Sequence, residues 1–219
     1  MSEFLLNALV TLLVTIDPLG LAPVFLALTR GADRKLRREI ALRAAVISAA
    51  ILLGFILGGS ALLSFLGISL PAFRIAGGLL LFWIAFEMVF EKREKRKAAS
   101  AATAASHFIA GSQDQQTEDL RHLAVFPLAI PLIAGPGAIS AAVLLATEAE
   151  NGLATVALMA IVVAIIGSCL AIFIAAETID RYLGETGRSV LTRLLGVLLA
   201  ALAVQFVADG IVNIVRMSM

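Results

Sequence analysis

Apolar residues run along this chain in long unbroken stretches rather than alternating with polar ones. Marked off by charges, the stretches fall at residues 4–28, 44–66, 75–90, 123–146, 153–176 and 194–215. At about 1.5 Å per residue each is near the length at which a helix crosses ~30 Å of hydrocarbon. The third is the shortest and spans once Pro71 and Phe73 are counted with it. Strands are excluded as spanning elements, because the runs are continuous and a barrel needs many more crossings. The pattern therefore predicts an all-α, polytopic membrane protein with six transmembrane helices. Residues 4–16 are short enough for the core of a secretory signal. No lysine or arginine precedes Arg30, however, and Asp17-Pro18 stands where a cleavage site wants small neutral residues, so the stretch reads as a retained first span.

Composition agrees. Of 219 residues 60% are apolar and 15% charged, against about 45–50% and about 25% in soluble domains. Six spans use most of this length, which leaves one membrane domain with residues 1–90 and 123–219 as its halves and 91–122 as a linker. The net charge of +1 says little about partners and nucleic-acid binding is not expected, while the single cysteine, Cys169, excludes an internal disulfide or a cysteine metal cluster. His107 and His122 lie in or beside the linker without partners at ligand spacing, so neither a metal nor a cofactor is expected.

Where the basic residues fall matters more than their sum. Arg30, Arg34, Lys35, Arg37, Arg38 and Arg43 follow the first stretch, Lys92, Arg93, Lys95, Arg96, Lys97 and Arg121 the third, and Arg181, Arg188 and Arg193 the fifth. The connections after the second and fourth stretches carry only Arg74, and the termini only Arg216. Positively charged loops stay in the cytoplasm, so both termini face outward and the three basic loops face in. The linker then reads as a solvated cytoplasmic loop. Arg74 reads as a side chain snorkelling to headgroups, and Glu87 and Asp209 as residues reaching the membrane edge.

Two segments recur in order. Pro18-Leu19-Gly20-Leu21-Ala22-Pro23 in the first span answers to Pro131-Leu132-Ile133-Ala134-Gly135-Pro136 in the fourth, and the residues from Arg74 to Leu80 answer to those from Arg193 to Leu199. With three spans per repeat the second copy enters the membrane from the opposite side, as the charge pattern also requires. The expectation is two inverted three-helix repeats, an arrangement used for alternating access.

Both proline pairs fall near mid-membrane, where two prolines with intervening glycine oppose a continuous helix. Spans one and four are thus expected to break there. Asp17-Pro18 and Gly135-Pro136 each have the form of an N-cap followed by a first helical proline. Half-helix N-termini at that depth would hold a carboxylate or phosphate, and freed carbonyls a cation. The candidate substrate-binding residues are Thr15, Asp17, Pro18, Gly20 and Pro23 in span one and Pro131, Gly135, Pro136, Gly137 and Ser140 in span four. Asn7, Thr11 and Gln205 are further polar candidates. Asp17, the deepest ionisable residue, is expected either to cap a half-helix or to couple a proton or cation, with no basic partner in the spans. Gly54 with Gly58, and more loosely Ala164 with Ser168, have the small-residue spacing of close helix packing.

These residues resemble the MarC family of bacterial inner-membrane proteins, within the LysE-type exporter group. The likeness rests on Asp17-Pro18-Leu19-Gly20 with Pro23-Val24-Phe25, and on the run from Pro127 to Ile139 that includes Pro131-Leu132-Ile133-Ala134-Gly135-Pro136-Gly137. It implies six spans with both ends periplasmic and, by analogy with relatives described as carriers, transport of small neutral amino acids. It supplies no catalytic residues, and the linker matches no motif of the family. No paired acids, serine-histidine pair or nucleotide-binding loop stands in any span, so a secondary transporter is expected rather than an enzyme. Its partners would be a small-molecule substrate, a coupled proton or Na+, the lipid bilayer and a second copy in a homo-oligomer. The alternatives are a non-transporting membrane scaffold and an intramembrane enzyme.

Overall fold

The computed structural model describes residues 2–29, 32–93, 96, 99 and 124–218. Most of the 91–122 linker, with both histidines, lies outside the described residues. The described chain is helical: α1 (Ser2–Ile16), α2 (Pro18–Leu28), α3 (Arg34–Phe65), α4 (Leu70–Val89), a proline segment of irregular helix (Ala124–Ile133), α5 (Pro136–Glu148), α6 (Gly152–Ile174) and α7 (Ala176–Ser218). Five helical stretches are long and apolar enough to cross a membrane, and the proline segment with α5 makes a sixth if that bent pair counts as one span.

The starts of α3, α4 and α6 carry polar caps. Asp33 accepts from the Leu36 N–H at 2.7 Å, Ser69 from Ala72 at 3.4 Å and Asn151 from Ala154 at 2.9 Å, satisfying donors that a helix start leaves open. Between α3 and α4 the chain reverses through Gly67, whose φ of +70° favours a residue without a side chain.

Helices pack on partners from the other half of the chain. α3 lies against α6, the proline segment and α5, whereas α1 and α2 lie against α6 and α7, and α4 runs along α7. A Cβ on Gly78 would come 2.9 Å from the Ala203 carbonyl oxygen, and one on Gly196 would come 3.2 Å from that of Ala85. These two approaches show that α4 and α7 are antiparallel with backbones in close contact. The rings of Phe25 on α2 and Phe173 on α6 stack with centroids 4.6 Å apart.

Span one and α5 form the inner layer. The apolar window of span one is 67% buried, against 28% for that of the last span, and on α5 Gly137, Ala138 and every residue from Ser140 to Leu145 are buried. The interior is aliphatic and small, with Ala8, Leu12, Ile16, Leu21, Ala138, Ala141 and Leu144 at its centre.

The expected small-residue packing is corrected. Gly54 and Gly58 are exposed, with nothing within 4 Å of where a Cβ would stand, and Ala164 is exposed too. Gly59 instead faces the second half, where a Cβ would stand 2.6 Å from Val143. Arg74 does not snorkel: its guanidinium lies 3.3 Å from Glu148 at the end of α5.

Candidate functional site

Both expected breaks are present, and they differ. In span one a single residue interrupts the helix. Asp17 sits in left-handed geometry (φ 56°, ψ 67°), its N–H still bonded to the Leu13 carbonyl at 2.9 Å while its own carbonyl accepts from Leu21 at 3.2 Å. It thus closes α1 and opens α2 at once, and the two make one span of 27 residues. Its carboxylate folds onto the start of α2 and accepts from the Gly20 N–H at 3.0 Å. Gly20 is needed there, because a Cβ would collide with that carboxylate.

In span four the irregularity is wider. Phe126 and Ile130 have extended rather than helical geometry, and α5 is bent 56° from the proline segment. Gly135 stands in the N-cap position before Pro136 with no side-chain hydrogen bond. A Cβ on Gly135 would collide with the Pro131 carbonyl oxygen. The first backbone bond of α5 runs from the Ile139 N–H to the Gly135 carbonyl at 3.0 Å. The N–H groups of Gly137 and Ala138 come before it in a helix start, where donors need partners from outside the helix.

Between the breaks stands Arg93, read from the sequence as part of a solvated loop. It is 6% exposed. Its guanidinium donates to the Thr15 carbonyl, which the break in span one frees from its helical partner, and to the Met88 sulfur at 3.0 Å. A cation at the C-terminal end of α1 also meets the negative end of that helix. Burial pushes the guanidinium below its ordinary value, while the nearby charges of Asp17 and Glu87 pull it back up. The positive charge that acts on Asp17 thus comes from beyond the end of α4 rather than from within the spans.

Glu87 is corrected as well. It is 5% exposed, one carboxylate oxygen accepts from Arg96 at 2.8 Å, and the other has no hydrogen-bond partner. Arg93, Arg96, Thr15, Ile84, Pro131, Gly135, Pro136 and Gly137 line a cavity of about 110 Å³ on the linker side of the break. Gly137 is the point where α1, α4 and α5 converge, since a Cβ there would collide with Ile84 and lie 3.4 Å from Thr15.

Of the sequence candidates, Thr15, Pro131, Gly135, Pro136 and Gly137 come together around this cavity. Ser140 instead lines a second cavity across the break. Asp17, Pro18 and Gly20 form the buried cap of α2, and Pro23 is half-buried within α2 and lines neither cavity. Asn7 accepts from the Thr11 hydroxyl at 3.1 Å, and the Thr15 hydroxyl donates to the Thr11 carbonyl. Gln205 is exposed and donates to Asp209 at 2.9 Å, one turn along the same face, so it is no part of the site. Among the described residues no group of three or more His, Cys, Asp or Glu could hold a metal.

With this geometry in hand, comparison with known proteins gives one family. Residues 2–215 match the family described as MarC family integral membrane protein. A UPF0056 membrane protein of Methanocaldococcus jannaschii is 34% identical over 95% of this chain and 96% of its own length. One from Aquifex aeolicus is 33% identical over 99% and 97%, and the UPF0056 membrane protein YvbG of Bacillus subtilis is 31% identical over 96% and 95%. No solved structure matches. The chain belongs to the MarC family, a group of integral, multi-pass membrane proteins with members in bacteria and archaea.

Proposed function

We propose that this MarC-family chain is a secondary transporter that exports small metabolites, small neutral amino acids foremost, by alternating access around a site at the membrane midplane. The observation that carries the reading is the meeting of two broken spans with a buried arginine between them. Irregular backbone at that depth is tolerated only where it is buried in protein or lines a cavity, and here it lines one bordered by Thr15, Arg93 and Arg96.

The packing pattern supports the inverted repeat. Exchanging the halves turns the contact of α3 with span four into that of α6 with span one. It also turns the contact of α4 with α5 into that of α7 with span one, and leaves the α3–α6 and α4–α7 pairs as they were. Asp17 carries the coupling in this reading, taking up a proton or Na+ while Arg93 balances its charge. The reading assigns no enzymatic step and no cofactor. It has both termini periplasmic, the linker cytoplasmic, the protein in the inner membrane, and a second copy of the chain as a homo-oligomeric partner.

The test is uptake of a labelled amino-acid panel into proteoliposomes, with and without a pH gradient. Gradient-dependent flux of alanine or glycine is expected. Absence of flux for the whole panel would overturn transport and favour a scaffold. Orientation is tested separately: cysteines at Ser2 and Glu150 should react with an impermeant thiol reagent in whole cells and one at Lys35 should not, with native Cys169 buried. The reverse labelling would invert the topology.

A further inference from the structure

Two cavities abut at the break in span four, and their chemistry differs. The linker-side one, about 110 Å³, is bordered by Arg93, Arg96 and the start of α5. The other, about 410 Å³, is walled by Phe55, Leu63, Phe73, Ile139 and Val143, and Ser140 supplies the only side-chain hydroxyl in its wall. Pro131 and Pro136 line both. The larger volume lies within the ~300–1,000 Å³ range of small-molecule sites. The smaller has room for a carboxylate, or for roughly four waters at about 30 Å³ each.

The start of α5 lacks a side-chain cap, and the collision at Gly135 prevents a residue there from bringing one. The start of α2 shows what such an end accepts, because there the buried Asp17 carboxylate takes the Gly20 N–H. Two guanidinium groups border the α5 cavity, Arg93 bonded to the Thr15 carbonyl and Arg96 to Glu87, and the N–H donors they leave over favour an anion.

We infer that the site takes an amphipathic carboxylate, whose carboxylate caps α5 beside Arg93 and Arg96 and whose apolar group, of branched-chain or aromatic size, lies in the larger cavity past Pro131 and Pro136. This rests on the transport reading and shifts its substrate from the smallest amino acids to bulkier ones. Glycine and alanine leave the larger cavity without an occupant. Leucine or phenylalanine fills it, and each methylene moved out of water tightens binding by about fourfold. The shared chemistry is met by an amino acid or by a simple carboxylic acid.

The test is equilibrium binding to the purified full chain in lipid nanodiscs, using labelled leucine, phenylalanine, glycine and 4-methylpentanoate, with leucinamide and palmitate as competitors. Leucine or 4-methylpentanoate should bind at least about tenfold more tightly than glycine, and whichever of the two binds more tightly tells whether the amino group is read. Leucinamide, lacking the carboxylate, should not compete. Ile139→Trp, or Leu63→Trp from a different helix, should remove the advantage of the bulky ligand while leaving glycine binding within about twofold. Arg93→Gln should weaken every carboxylate by about tenfold or more. Leucine binding no tighter than glycine, competition by leucinamide, or unchanged leucine binding in both folded tryptophan variants would overturn the inference. Binding of palmitate alone would also overturn it and make the larger cavity a lipid-tail site. Glycine flux in proteoliposomes without any preference for leucine would sink this inference and leave transport standing. Tight leucine binding with no flux of any substrate would do the reverse.

Discussion

The breaks in spans one and four start from similar sequence and end in different chemistry. At Asp17 one residue turns left-handed and its own carboxylate closes the helix it opens. At Gly135 the backbone bends by 56° and the new helix starts without a side-chain cap, beside two arginines. A half-helix N-terminus in a membrane needs hydrogen-bond acceptors, since unmet N–H groups cost several kcal/mol in hydrocarbon. One end carries its acceptor in the chain, and the other, which has no side-chain cap, takes it from the inferred ligand. A pair of similar motifs can thus divide the work between a fixed structural end and an exchangeable one.

The largest effect should come from the residue that joins the two breaks. Arg93→Ala removes the donor to the Thr15 carbonyl and leaves the charges of Asp17 and Glu87 less balanced. Breaking a buried charge pair by removing one partner costs about 3–5 kcal/mol, so a stability loss near the lower end, about 3 kcal/mol, is expected in denaturant unfolding of the detergent-solubilised protein. A change below about 1 kcal/mol would show that the breaks are independent of Arg93.

Next in size is Asp17. Asp17→Ala loses a cap worth about 1 kcal/mol and places alanine in left-handed geometry at about 1–2 kcal/mol, so thermal unfolding should shift clearly downward. Asp17→Asn keeps a capping oxygen and tolerates φ > 0. It should stay within about 0.5 kcal/mol and still lose gradient-driven flux. Full coupled flux from the asparagine variant would make Asp17 a cap and nothing more.

Two glycine substitutions sharpen the contrast between the ends. Gly20→Ala drives a Cβ into the Asp17 carboxylate and should cost a net ~1 kcal/mol by displacing the cap. Gly137→Ala meets the far end of the Ile84 side chain, which can move, and gains up to about 1 kcal/mol of helix propensity. Its stability should hardly change, while its substrate binding falls because the cavity narrows. Equal losses of stability at Gly20 and Gly137 would mean that both ends are structural.

Much of this molecule was legible along the chain. The apolar runs and the two break points were read correctly, because hydrocarbon thickness and proline geometry act locally, whereas α3 and α7 begin well before the runs at 44–66 and 194–215. Asp17 as a cap and Gly135-Pro136 as a helix start were legible for the same reason. Arg93 was not, since nothing nearby in sequence separates it from Lys92 or Arg96. Its contact with Thr15 joins residues 78 positions apart. Gln205 misled for the opposite reason: its polarity suggested a pocket, but Asp209 holds it on an exposed face. Gly54 and Gly58 carried the expected spacing on the wrong side of α3, and Gly59, one position on, made the close approach.

By itself the sequence determined that the chain lives in a membrane and where two of its spans cannot stay helical. These outcomes follow from transfer of apolar side chains out of water and from the missing amide of proline, neither of which needs a neighbour. Tertiary structure alone decided which break is closed by its own carboxylate, which basic residue is drawn from the linker into the core, and which glycines bring backbones together. Those outcomes depend on helices from opposite halves packing against each other. A buried charge or an open helix end takes whatever partner that packing brings within reach.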